Sequence, residues 1–179
     1  MKRIVRDLGN YHTLVTRVDE LCAEITGQFG AAIACCPGCA GCCRHISIFP
    51  VEGIALAAAL RNLPAVEASR IRELARLSPS DAPCPLLEEG RCLLYAARPI
   101  ICRTHGLPLL TIQDEKRAVD FCPLNFQGVG SLPGHAVIDL DRLNTALTAV
   151  NALFVAEFPR GDLVGRGRLT IAESLLFEL

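Results

Sequence analysis

The chain has no tryptophan and only two tyrosines, and aromatic residues make up 5% of its 179 positions. A platform of rings on which nucleotide bases could stack is therefore not expected. Neither sign of charge dominates. The formal net charge is -1, which exerts no long-range pull on nucleic acid or an anionic membrane. Long apolar runs are missing as well. The longest weakly polar stretch, Gly53 to Leu60, falls well short of the roughly 20 residues a membrane-crossing helix needs. The opening residues Met1-Lys2-Arg3-Ile4-Val5-Arg6-Asp7 break up any apolar core of a secretory signal. A cytoplasmic protein with neither a nucleic-acid nor a membrane partner is expected. No internal repeat or low-complexity tract divides the chain.

Cysteine, in contrast, is plentiful. There are ten, four of them in the run Cys36-Pro37-Gly38-Cys39-Ala40-Gly41-Cys42-Cys43, and four more stand alone at Cys84, Cys92, Cys102 and Cys122. Disulfide frameworks belong mainly to short secreted domains with little core. This chain is longer, and 51% of it is apolar. In a reducing compartment, clustered thiols point to a metal centre, with catalytic or sensing disulfides as the competing use. The mean hydropathy of +0.35 partly reflects the cysteines and leaves room for a protein partner on an apolar surface.

The periodicities predict a mainly α, small helical domain with short β-hairpins and loops around a cysteine-rich metal site. Its expected organisation is a single domain over 1–179, with an N-terminal helix in 1–34, a metal-binding core over 35–123 and a C-terminal helical extension over 124–179. Leu8, Tyr11, Val15, Val18, Cys22, Ile25 and Phe29 recur at steps of three and four, one face of an amphipathic helix. Gly27 and Gly30 are expected to end it. Pro50 suits the first turn of a second helix running through Leu60. Pro64 opens a third, with Val66, Ile71, Leu74 and Leu77 as its apolar side. Ser78 to Pro83 reads as a loop. Leu86-Leu87 and Cys92 to Tyr95 flank Glu88-Glu89-Gly90 as a small hairpin. A short helical turn after Pro99 carries Cys102, and Leu107 to Gln113 with Lys116 to Phe121 form a second hairpin. Asp139 or Asp141 caps a helix containing Leu143, Leu147, Val150 and Phe154. Pro159-Arg160-Gly161 stops that helix, and a terminal helix spans about Leu169 to Phe177.

The cysteine spacing carries chemistry. In Cys36-x2-Cys39 a tight turn can set two sulfurs on one ion while backbone amides donate to them. Cys42 extends the run to C-x2-C-x2-C, the ligand spacing of bacterial ferredoxins, where a remote cysteine followed by proline supplies another ligand. Cys84-Pro85 and Cys122-Pro123 both fit that description. A zinc ribbon needs a second C-x2-C further on, and none is present. Iron is therefore favoured, with zinc held by scattered thiolates as the alternative. In extended backbone the adjacent Cys42 and Cys43 point to opposite sides, so they can face two different centres. Setting aside Cys22 and Cys35, eight thiols suffice for two four-thiolate sites or for one cluster plus a separate metal. Cys43 as a plain core residue is the competing reading.

The combination of Cys36-x2-Cys39-x2-Cys42-Cys43, Cys84-Pro85-Leu86-Leu87, Gly90-x-Cys92-x2-Tyr95-x2-Arg98-Pro99-x2-Cys102-Arg103 and a last Cys122 resembles the YkgJ-type cysteine cluster family of zinc- or iron-chelating domains. The resemblance covers about half of the chain. It implies Cys36, Cys39, Cys42, Cys43, Cys84, Cys92, Cys102 and Cys122 as metal ligands and leaves Cys22 and Cys35 outside the pattern. It implies no particular reaction.

A thiolate-rich centre carries negative charge that needs compensation when buried. Arg44, Arg98 and Arg103 lie within one or a few residues of ligand candidates, and Arg98 and Arg103 are placed to donate to sulfurs or to buried carbonyls. His45 and His105 are candidate alternative ligands. Gly128-x-Gly130-x3-Gly134 follows no strand and lacks dinucleotide-binding spacing. Asp139 with Asp141 and Glu88 with Glu89 read as a cap and a turn, and no activated nucleophile is recognisable. The expected function is a cytoplasmic metal-binding protein with an iron-sulfur or iron centre in a redox or sensing role. The alternatives are a zinc-stabilised adaptor module and a metal-dependent enzyme with an open coordination position.

Overall fold

The computed structural model describes residues 8–36, 38–79, 81–113, 116–157, 163 and 165–179. Its mainly α architecture with short strands matches the expected class. Helix α1 (Gly9–Phe29) buries Tyr11, Val18 and Ile25, one residue every two turns, with Val15 and Cys22 at the edge of the stripe. Gly27 lies inside this helix and does not end it. Glycine costs only about 1 kcal/mol in a helix interior, and Gly27 is exposed, so tertiary packing of the face opposite decides. A 3-10 turn, Gly30–Ala32, follows and leads into the cysteine loop.

Helix α2 (Pro50–Arg61) begins at proline as expected and is buried along Val51, Ile54, Leu56 and Leu60. Glu52, in its first turn, is 3% exposed. One carboxylate oxygen accepts the Phe49 amide at 3.0 Å, and the other accepts the Ile100 amide at 3.0 Å. This single side chain thus caps α2 and holds the start of helix α4 (Ile100–Thr104), which carries Cys102. Burial pushes the Glu52 carboxyl up, against the two amide hydrogen bonds.

Helix α3 (Ala65–Leu77) departs from the expected apolar side. Val66 and Leu77 are 84% and 70% exposed, and the buried stripe is Ala68, Ile71 and Ala75. Small residues let α3 approach its neighbours closely, so spacing prevailed over side-chain size in choosing the face. Helix α6 (Ile171–Leu176), capped by Thr170, packs on both α2 and α3. At the α2–α6 contact Gly53 has no room for a side chain, because a Cβ there would lie 2.6 Å from Ser174 Oγ and 2.9 Å from Leu169 Cδ1. Gly53→Ala should destabilise the protein by about 1–3 kcal/mol, as overpacking does, seen as a lower midpoint in chemical denaturation. An unchanged midpoint would show that Ser174 simply moves aside.

Strands β1 (Ser47–Ile48) and β7 (Leu169–Thr170) pair antiparallel, so part of the expected terminal helix is strand. Strands β2 (Leu87–Glu88) and β3 (Arg91–Cys92) form the first expected hairpin. Its turn residues Glu89 and Gly90 both have positive φ, 48° and 75°, the geometry of a two-residue hairpin turn. The tip meets the cysteine loop, where a Cβ on Gly90 would lie 3.0 Å from Gly38 Cα. Strands β4 (Leu109–Gln113) and β5 (Lys116–Asp120) form the second hairpin, and β6 (Ile138–Asp139) adds to β4 in parallel, a pairing the sequence had not signalled. Asp139 accepts the Arg142 amide at 3.0 Å and is the cap of helix α5 (Leu140–Glu157). The expected stop at Pro159-Arg160-Gly161 lies outside the described residues.

Three apolar clusters hold these parts. One joins α1, α2 and α5, a second joins α2, α3 and α6 to Leu86 and Leu94 of the first hairpin, and a third gathers Ile25, Leu107, Phe126, Ala136 and Ile138. Cys84 and Cys92 pack against the second cluster, and Cys22 against the first and third. Among the described residues, no helix is long and apolar enough to cross a membrane.

Candidate metal centre

All ten cysteines are free thiols. The loop that carries four of them is made of tight turns. Cys39 donates its amide to the Cys36 carbonyl at 3.0 Å, with Gly38 at a φ of 99°. Cys43 donates to Ala40, and Arg44 donates to Cys42 at 2.9 Å. Cys42 and Cys43 therefore sit in a turn, not in the extended backbone expected of them, and a turn brings neighbouring side chains together. The Cys42 thiol is pushed up by burial and next by its neighbour Cys43, through charge and hydrogen bond.

Beyond that pair the thiols fall into two groups. The half-buried group is assembled by short backbone links. Cys84 donates its amide to the Cys43 carbonyl at 3.2 Å beside a bridge between Arg44 and Pro83. Cys92 lies opposite Leu87 in the hairpin, and Leu87 donates to the Cys84 carbonyl at 2.9 Å. Cys102 follows on α4, anchored through Ile100 to Glu52. Burial raises the Cys102 thiol to about 12, with Cys84, Cys92, Cys43 and Glu52 adding in the same direction. Cys84 is raised to about 11 by burial, partly offset by the Leu86 amide, while Cys92 and Cys43 add to it. Cys92 is raised by burial and eased by the Leu94 amide and by Arg98.

The exposed group comprises the thiols at the loop's outer edge. Cys36, Cys39 and Cys42 are exposed, and Cys122 is half-buried. Cys122 donates its amide to the Gly106 carbonyl at 3.4 Å, which sets its backbone beside the loop after α4. Cys35 belongs here as well, although the sequence pattern left it out. Besides burial and the Asn125 hydrogen bond, the groups acting on its thiol are Cys122, Cys39 and Cys42. Cys22 behaves as expected of a helix-face residue, its thiol donating to the Arg103 carbonyl at 3.7 Å.

The two arginines support backbone more than sulfur. Arg103 is 9% exposed in its side chain, pairs with Asp19 at 2.6 Å and donates to the carbonyls of Arg98 and Ala96. Arg98 stacks its guanidinium 3.5 Å from the centre of the Tyr95 ring and donates to the Tyr95 carbonyl. It also reaches the Cys102 carbonyl at 3.4 Å, and its charge favours the Cys92 and Cys22 thiolates. The Arg98-Pro99-x2-Cys102-Arg103 element thus locks the short helix on which Cys102 rides. His45 is engaged elsewhere, against the Pro79 carbonyl at 3.1 Å and the Ala172 amide at 3.4 Å. His105 is exposed on the rim of a cleft of about 330 Å³ that reaches Cys102 from one side and Cys35 from the other.

As placed, no three His, Cys, Asp or Glu side chains among the described residues are grouped closely enough to hold an ion. Coordination would require the thiols to change rotamer. The donor set otherwise fits a thiolate-bound metal. Cys84 and Cys92 each receive an amide from the residue two positions on, the contact that disperses charge on a coordinated sulfur. The arginine charge beside Cys92 acts the same way.

The model of the CxxCxxCC family, described as "Putative zinc- or iron-chelating domain", matches residues 34–123. No curated protein and no solved structure matches the chain. The matched region spans half of the chain, from the residue before Cys35 to the residue after Cys122, and takes in both thiol groups. The protein belongs to this family of zinc- or iron-chelating domains.

Proposed function

We propose that this is a cytoplasmic metal-binding protein with two adjacent thiolate centres that meet at Cys42–Cys43, holding iron or an iron-sulfur cluster in a redox or sensing role. The observation that carries it is the division of the thiols by surroundings. Cys43, Cys84, Cys92 and Cys102 are half-buried and act on one another, while Cys36, Cys39 and Cys42 are exposed on the loop and Cys122, itself half-buried, lies beside Gly106. Four thiolates in a closed, half-buried set suit a structural ion. A set open to solvent suits a centre that reacts or exchanges. Iron is preferred for the outer centre because C-x2-C-x2-C with remote Cys-Pro positions is a cluster-binding spacing. Arg98 and Arg103 hold the Cys102 helix in place for the inner one.

Protein purified without oxygen should be brown and carry iron, with acid-labile sulfide if a cluster is present. A colourless preparation with stoichiometric zinc and no iron, from cells supplied with both metals, would overturn the iron assignment. The half-buried set favours zinc as a second reading for the inner centre, since a closed tetrahedral four-thiolate site is zinc's usual structural geometry.

A further inference from the structure

We propose that Cys35, which lies outside the family's cysteine pattern, is a ligand of the outer centre. This rests on the two-centre reading above. The evidence is geometric. Gly106, at a φ of 89°, brings its backbone so close that a Cβ there would lie 3.1 Å from Cys35 Sγ and 3.6 Å from Cys122 Cβ. Cys35 and Cys122 therefore flank one glycine from separate segments, and a side chain there would press on Cys35 Sγ and Asn125 Nδ2.

Asn125 is the second observation. It is 1% exposed, and all its polar atoms are used to fix this corner. Its Oδ1 accepts the Ala34 amide at 2.9 Å, and its Nδ2 donates to the Gly106 carbonyl at 2.7 Å and to Cys35 Sγ at 3.3 Å. Its own amide donates to the Cys122 carbonyl at 2.8 Å. The Cys35 thiol in turn reaches Asn125 Oδ1 at 3.6 Å, so one buried amide fixes this sulfur beside Cys122.

Cobalt(II) reports the number of bound thiolates through its sulfur-to-metal charge-transfer absorption. Titrated anaerobically into the metal-free full chain, it should bind two ions in the wild type. In Cys35→Ser the later, weaker binding event should lose charge-transfer intensity and weaken by about tenfold or more. In zinc-loaded wild type, Cys35 should be protected from alkylation along with Cys122. A Cys35→Ser titration that overlays the wild type, or a Cys35 alkylated as fast with zinc as without, overturns the assignment. A single cobalt ion in the wild type overturns the two-centre reading, while Cys35 still stands or falls by its own protection.

Discussion

Cys102→Ser should lose the inner metal and lower the melting temperature by roughly 5–15 °C. A metal held, as proposed, by Cys102 on α4, Cys92 on the hairpin, Cys84 just before it and Cys43 on the loop would close these chain segments at once, and binding of this kind is coupled to folding. A ligand present at about 100 to 1,000 times its Kd stabilises by about 3–4 kcal/mol, and each kcal/mol is worth about 2–4 °C in a chain of this size. Removing metal from the wild type with a strong chelator should give a shift of the same size. Cys22→Ser is the control, because its thiol packs on the face of α1 and donates to the Arg103 carbonyl. If Cys22→Ser strips the metal as fully as Cys102→Ser, the ligand assignment is wrong.

The pH dependence has two opposite arms. In the metal-free protein, Cys102 and Cys84 titrate at about 12 and about 11 because burial disfavours the thiolate. A pKa raised on folding contributes stability that is complete below the usual thiol range and is lost as pH climbs toward 12. The metal-free protein should therefore weaken in strong alkali. Metal binding runs the other way, since each coordinated thiol must first give up its proton. Affinity should rise by about one decade per pH unit for each proton released between pH 6 and 8. A pH-independent zinc affinity over that range would mean that ligands other than these thiols hold the ion.

Much of this was legible in the residues. Proline at Pro50 and Pro64, the seven-residue recurrence through α1 and the turn residues Glu89-Gly90 marked three helix starts or faces and a hairpin, because each rests on local chemistry. What escaped notice was non-local. The face of α3 went to Ala68, Ile71 and Ala75 because α6 packs close against it, and no spacing rule foretells a partner's distance. The parallel pairing of β6 with β4 depends on where α5 docks. At the site, the family pattern singled out eight thiols, yet the neighbours of Cys35 became visible only once Gly106, Cys122 and Asn125 were brought together. Cys35 and Asn125 lie far apart in sequence, and an asparagine three positions after a Cys-Pro carries no recognisable signal. The expected opposite orientation of Cys42 and Cys43 failed for a local reason: Gly41 and the Cys43–Ala40 hydrogen bond turn the chain there.

That turn changes what the vicinal pair can do, and it sharpens the next expectation. The two thiols act on each other, and each also acts on different partners. Cys43 acts on Cys84 and Cys102, whereas Cys42 acts on Cys35. Cys43→Ser should therefore empty the inner centre, lower thermal stability and leave the outer metal in place. Cys42→Ser should deplete the outer centre, with its visible absorption, and leave the melting temperature within a few degrees of the wild type, since an exposed loop site closes less of the core. Metal counting with absorption spectra on the two variants separates the outcomes. Complete loss of metal from both would mean one shared cluster bridged by the pair, and full retention by Cys43→Ser would reduce Cys43 to a packed thiol. Only unequal, spectroscopically distinct losses are consistent with two centres.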